Sequence, residues 1–245
     1  MFVGIIFFRY LFVSYIFYFV FYVLSFDTYK GRKISSKMRK PKQSQKEIWR
    51  SFWSSGIFAV GGFIFYLLFE KGYTAVYTDV SEMGIAYLVV SFFLIMFLHE
   101  TYYYWLHRWI HKPGIYEKVH LTHHDSIITS VWTSFSFHPI ESFLQVVFIP
   151  VIIIFVPAHI VVVMALLFIM TVSATINHLD IEIYPRNFHK NFIGKWLIGA
   201  THHSLHHTEF ITNYGLYFTF WDKWMNTESK NFEPVFEKLT AKVDE

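Results

Sequence analysis

"SFLQVVFIPVIIIFVPAHIVVVMALLFIMTVSATI", Ser142 to Ile176, carries no Asp, Glu, Lys or Arg, and the path it takes decides the fold. It can be one tilted membrane span or a hairpin. "FVPAH" (Phe155 to His159) divides it into halves of about fourteen and seventeen residues, each short but passable as a membrane-embedded helix. Parity chooses between the two. Histidine clusters lie on both sides of the run, and a single span would hold them roughly 30 Å apart, a bilayer's thickness. A hairpin turning at Val156-Pro157 returns every cluster to one side, so a hairpin is expected.

The rest of the chain fits a multi-pass membrane protein. Of its 245 residues, 54% are hydrophobic and only 16% charged, far more apolar than a soluble domain of this length. The N-terminal run "MFVGIIFFRYLFVSYIFYFVFYVLSF" is long enough to span and lacks the basic start and cleavage site of a signal peptide, so it reads as an uncleaved anchor. Arg9 is expected to snorkel from its outer end. Between Asp27 and Arg50 nine Lys or Arg face two acids, a local charge of +7 that marks a cytoplasmic loop and not a nucleic-acid surface. Ser51 to Phe69 returns outward. Met83 to Leu98 begins a third helix that runs on to a stop at Pro113-Gly114. The expected organisation is 1-82 as N-terminal transmembrane helices with the basic loop, 83-227 as the catalytic domain, and 228-245 as a soluble tail.

With no cysteine, thiolate metal sites, Cys-bound iron–sulfur clusters and disulfides are excluded. The absence of a GxGxxG or GxxxxGKS loop argues against nucleotide binding, so reducing equivalents would come from a partner. Fourteen histidines remain to be explained. "HRWIH" (His107, His111), "HLTHH" (His120, His123, His124) and "HSLHH" (His203, His206, His207) use spacings of three and four, which aim imidazoles along one helix face. Packed imidazoles must share either protons, which repel, or a cation that all can ligate while neutral. With His178 they make nine candidates, too many for one tetrahedral ion, and two metals fit the number. Imidazole accepts zinc, copper, iron or nickel, so ligand type does not choose the element. His202 precedes His203 by one residue and His206 by four, leaving its role open. His99 lies about 80° around the helix from His107 and reads as a supporting or interface residue. His159 and His189 read as ordinary interfacial histidines. "HETYY" is not a zinc-protease motif, because Tyr103 stands where HExxH needs histidine.

The ordered set "YYYWLHRWIH", "HLTHH", "FHPIE", "NH" and "HHSLHH" followed by "NYGLYFTFWDKWMNT" resembles the membrane-bound fatty acid hydroxylase and sterol desaturase superfamily. The resemblance implies two iron ions, for which zinc can substitute, held by His107, His111, His120, His123, His124, His178, His203, His206 and His207. His138, in "FHPIE", matches a family motif less firmly tied to the metals. It further implies dioxygen as oxidant, an electron-donor protein with a haem or iron–sulfur carrier and a reductase, and a fatty acyl, sterol-like or ether lipid substrate at the cytoplasmic face. "MNTES" departs from the family's usual ending, and "INHLDIEIYP" is not a close copy of the sterol enzymes' segment. Glu100, Glu141 and Asp180 flank the histidines and read either as carboxylates that orient ring nitrogens or, equally, as surface groups at the membrane edge. Two other classes remain: a histidine-rich metal transporter, with ligands near the bilayer midplane, and a membrane protein stapled by structural zinc.

Overall fold

The computed structural model describes residues 1–241, and the last four residues of the expected tail lie outside them. The architecture is all-α, an integral membrane bundle with a histidine-rich domain at one end. Four stretches are long and apolar enough to cross a bilayer. The first is α1 (Phe2–Tyr18) with its π-helical continuation Phe19–Leu24. The others are α2 (Gln43–Glu70), α3 (Gly84–Ile110) and α6 (Ile160–Asn177).

The decisive run forms a hairpin. Its first arm is α4 (Pro139–Val146) followed directly by α5 (Phe148–Phe155), and its second is α6. Pro157 cannot donate to a helix ladder, and the backbone is already extended at Val156, so the chain reverses there. Two contacts anchor the tip at the end far from the histidines. Val76–Tyr77, in the loop joining α2 to α3, pairs with Ala158–His159, and the Ala75 amide donates to the Ile153 carbonyl at 2.8 Å. His159 caps α6 by accepting from the Val161 amide, and its Nε2 meets the Thr78 carbonyl at 2.8 Å. An apolar core of Ile95, Ile149, Ile153, Val162 and Leu166 holds the hairpin against α3.

Small residues let the hairpin approach α2. A Cβ at Gly61 would stand 2.3 Å from a Val146 methyl, so the close crossing of α2 and α4 requires glycine. On the same side α1 packs on α2 and α6: the Tyr10 hydroxyl donates to the Trp132 carbonyl at 2.9 Å, and Ser14 donates to the Val131 carbonyl.

The basic loop is built into the fold. Arg32 donates to the Tyr184 carbonyl, Arg39 to the Thr129 carbonyl, and Lys40 and Arg50 pair with Asp125. Its cations therefore strap the histidine-bearing segments. The tail likewise ends in a docked helix, α8 (Phe232–Ala241), whose Phe232 and Phe236 are buried.

Candidate metal centre

Five helices carry the histidines to one end of the bundle. α3 ends at Ile110, and Gly114, at φ +79°, turns the chain back after His111. Two short helices, Tyr116–Val119 and Leu121–His124, then present the "HLTHH" group. α6 delivers His178 at its C-terminus, and α7 (Ala200–Glu209) presents the last group before left-handed Phe210 ends it.

All nine expected ligands meet, in two groups: His107, His111, His120, His124 and His206 form one, and His123, His178, His203 and His207 the other. Within each group the ligating nitrogens lie within 4.8 Å of one another. The division cuts through the motifs. His120 and His124 stay together while His123 crosses to the second group, and His203 and His207 stay together while His206 crosses to the first. Four-residue spacing keeps a shared site and three-residue spacing bridges to its neighbour, whereas the motifs alone place all three imidazoles on one face.

The hydrogen bonds fix the tautomers. A carbonyl can only accept, so the Nδ1 facing it carries the proton and leaves Nε2 bare. His107 Nδ1 donates to the Tyr214 carbonyl at 2.8 Å, His206 Nδ1 to Thr212 at 2.7 Å, His178 Nδ1 to Ala174 at 2.6 Å, and His123 Nδ1 to Ser136 at 3.3 Å. His120 Nδ1 lies 2.9 Å from a Glu141 carboxylate oxygen. The bare nitrogens face each other: Nε2 of His107 and His120 are 3.1 Å apart, and those of His123 and His178 are 3.2 Å apart. Two lone pairs cannot satisfy one another, but a cation between them satisfies both. Protons do not serve, because burial first and neighbouring imidazoles second push His120, His123, His124, His203 and His207 well below the ordinary histidine range. Burial lowers His178 and His206 to about 4. At neutral pH the set is neutral and able to ligate, so the residues fit a metal pair.

The remaining histidines have other work. His138 caps α4, accepting from the Ile140 amide. His202 stacks on Phe232 with ring centroids 3.5 Å apart and faces Glu228, which ties α7 to α8. His99 packs on Phe148 and meets the Tyr217 hydroxyl at 3.2 Å. His189 faces Glu233 and Glu237 of α8.

Of the three flanking carboxylates, only Glu141 touches a histidine of the groups. Glu100 instead accepts from the Leu216 and Tyr217 amides at 3.0 and 2.9 Å. It holds the loop that follows α7, where a Cβ on Gly215 would come within 2.9 Å of the same carboxylate. Asp180 accepts from the Ser35 amide and faces Lys33 and Arg39, tying down the basic loop. The sequence reading passed over Glu47, which is fully buried in α2 and accepts from Gln43, Ser126, Ser130 and Thr133. The signal available was an acid inside the basic run, next to an otherwise apolar span.

Beside the second group lies an apolar cavity of about 150 Å³, into which His178, His99 and Tyr103 project. Val163, Leu167, Met170, Ala174 and His178 line it along one face of α6, which amounts to about 22 Å of helix. Arg9, partly exposed, also lines this cavity.

A family model for fatty acid hydroxylases matches residues 92–227. The chain belongs to the fatty acid hydroxylase family. Within this family it is 30% identical over 200 residues to a Δ7-sterol 5(6)-desaturase of Gibberella zeae, covering 80% of this chain and 60% of the relative. It is 33% identical over 161 residues to human lathosterol oxidase, covering 64% and 52%, and 29% identical over 231 residues to the Candida albicans Δ7-sterol 5(6)-desaturase, covering 93% and 58%. This family member thus spans a little over half the length of the curated relatives it matches. No solved structure matches it.

Proposed function

We propose that the chain is a membrane di-iron oxidoreductase that hydroxylates or desaturates a lipid, using dioxygen and electrons from an external haem or iron–sulfur carrier with its reductase. The observation that carries this reading is the pair of buried, neutral histidine groups with apposed bare nitrogens, opening onto an apolar cavity.

The nine histidines of the two groups would hold two ions, and such a pair would activate dioxygen, the oxidant, with electrons from the external carrier, for attack on an unactivated C–H bond. The chain supplies the setting. Backbone carbonyls of Tyr214, Thr212, Ala174 and Ser136 keep the Nδ1 protons outward, and the Glu141 carboxylate does so for His120. Phe137 packs on His123 with centroids 4.9 Å apart, which helps exclude water between the histidines and the lipid. The cavity encloses a volume that suits a ring-sized group, so it would hold the reacting part of a lipid while the rest remains in the bilayer. Residues 83-227 form the catalytic unit of this reading, 1-82 its membrane support and 228-245 its peripheral tail.

Histidines gathered at one end of the bundle fit a transporter path poorly, since such a path places ligands near the midplane. A structural zinc site would be closed, whereas His178 borders a cavity. The +7 loop packed on the histidine segments supports a cytoplasmic site. A cysteine introduced at Lys40 should then be shielded from an impermeant thiol reagent in intact cells and one at Ala158 should react; the reverse labelling would place the site outside.

Membranes supplied with iron, a reductant system and labelled dioxygen test the reaction. The expected product is a lipid heavier by one labelled oxygen or lighter by two hydrogens, lost in the His206→Ala form. No dioxygen-dependent change in any lipid between the two forms would overturn the proposal.

A further inference from the structure

The cavity holds a charge that the oxidation chemistry does not use. Its wall is otherwise hydrocarbon, aromatic or neutral polar, and Arg9 is the only Asp, Glu, Lys or Arg among the residues lining it. The Arg9 Nε atom is buried without a hydrogen-bond partner, and no ion pair involves Arg9 among the described residues. The arginines of the basic loop behave differently: Arg39 meets Thr129, Tyr22 and Asp180, and Arg50 meets Thr122 and Asp125. A guanidinium stays charged in any protein setting and presents a fork of donors suited to oxyanions. Arg9 is partly exposed, yet its Nε is buried at the wall of an apolar cavity within the membrane bundle and lacks a counter-charge, and such a residue marks a functional site by default.

Arg9 also stands in a defined part of the cavity. The next residue, Tyr10, stacks on Phe135 with centroids 5.1 Å apart, and Phe135 and Ser134 line the cavity on the stretch leading to Phe137, the residue packed on His123. The charge therefore sits beside the wall that leads to the histidines, while the α6 face runs on past Thr171 and Leu167 to Val163 as an apolar track.

Resting on the lipid-oxidising reading above, we infer that Arg9 is a specificity-determining residue that anchors an oxyanion on the substrate, so that the chain takes an acidic lipid whose apolar body lies along α6. The anion supplies the missing counter-charge and the fork fixes the lipid's register against the histidines. A neutral lipid of the same length gains the apolar contacts and leaves the guanidinium unpaired. The shared chemistry is a carboxylate, phosphate or sulfate on a hydrocarbon body.

The test is equilibrium competition against radiolabelled dodecanoate, with the full chain in phosphatidylcholine nanodiscs. The competitors are dodecanoate, dodecyl phosphate, dodecyl sulfate and dodecanol, and the proteins are wild type, Arg9→Lys and Arg9→Met. Wild type should bind the best oxyanion at least about tenfold more tightly than dodecanol, the scale of one charge-assisted bond. Arg9→Met should lose that preference with dodecanol affinity unchanged, and Arg9→Lys should keep part of it. Whichever of the three anions binds most tightly identifies the headgroup chemistry. Equal wild-type affinity for all three anions and dodecanol overturns the proposal without any variant, and so does an Arg9→Met form that keeps the preference. The labelled-dioxygen assay on the same preparations separates the two readings. Anion preference without lipid oxidation removes the oxygenase reading alone, and oxidation without anion preference removes this one alone.

Discussion

The two histidine groups are unequal. The first has five imidazoles, two of them anchored by the Tyr214 and Thr212 carbonyls and a third, His120, set beside the Glu141 carboxylate. The second has four, anchored through His123 and His178 alone and with no carboxylate beside it; buried Nδ1 atoms without a hydrogen-bond partner occur in both groups, on His120 and His124 in the first and on His203 and His207 in the second. Only the second reaches the cavity, through His178. A ring whose outer nitrogen is fixed is both oriented and more basic toward a metal. The difference teaches that one site is built for retention and the other for access.

Removing a ligand should have the largest effect, and it asks whether the groups act as one. His206→Ala and His178→Ala should each lower lipid oxidation by more than about 100-fold, above the range seen for groups that merely orient a ligand. Near-equal losses in the two, read from product yields, would show the pair acting as a unit. A His178→Ala form that kept most of its activity would break the comparison.

Glu141→Gln comes next. Replacing the carboxyl group beside His120 should weaken the first group by about 10- to 100-fold in metal affinity and leave the second intact. Metal per chain, measured during graded chelation, should fall in two steps in wild type and closer together in the variant. Coincident loss in both forms would remove the proposed inequality.

Narrowing the approach to the cavity has a smaller effect. Gly61→Val should cost about 1–3 kcal/mol through overpacking against Val146, lowering the unfolding midpoint while metal content holds. The smallest effects belong to histidines outside the groups. His138→Ala should cost about 1 kcal/mol as a lost cap and His202→Ala should loosen α8 from α7, with metal per chain unchanged in both. Loss of metal from either would enlarge the set of ligands.

The sequence by itself determined a membrane protein, a hairpin broken at Val156-Pro157, and the nine histidines that meet. Each of these is a local property: apolar length sets what can span, proline interrupts a ladder, and spacings of three and four put side chains on one side of a helix. Tertiary structure alone decided which histidine joins which group. His123 and His124 are neighbours in the chain, yet they part because α6 and α7 bring His178, His203 and His207 to one and His206 to the other. It also decided the partners of the buried charges, since Glu100 reaches a loop more than a hundred residues away and Asp180 reaches the basic loop. Arg9 shows the same limit most plainly. A lone arginine in an apolar span is expected to seek water when only its own helix is known, and the packing of α1 against α2 and α6 is what also sets it at the cavity wall.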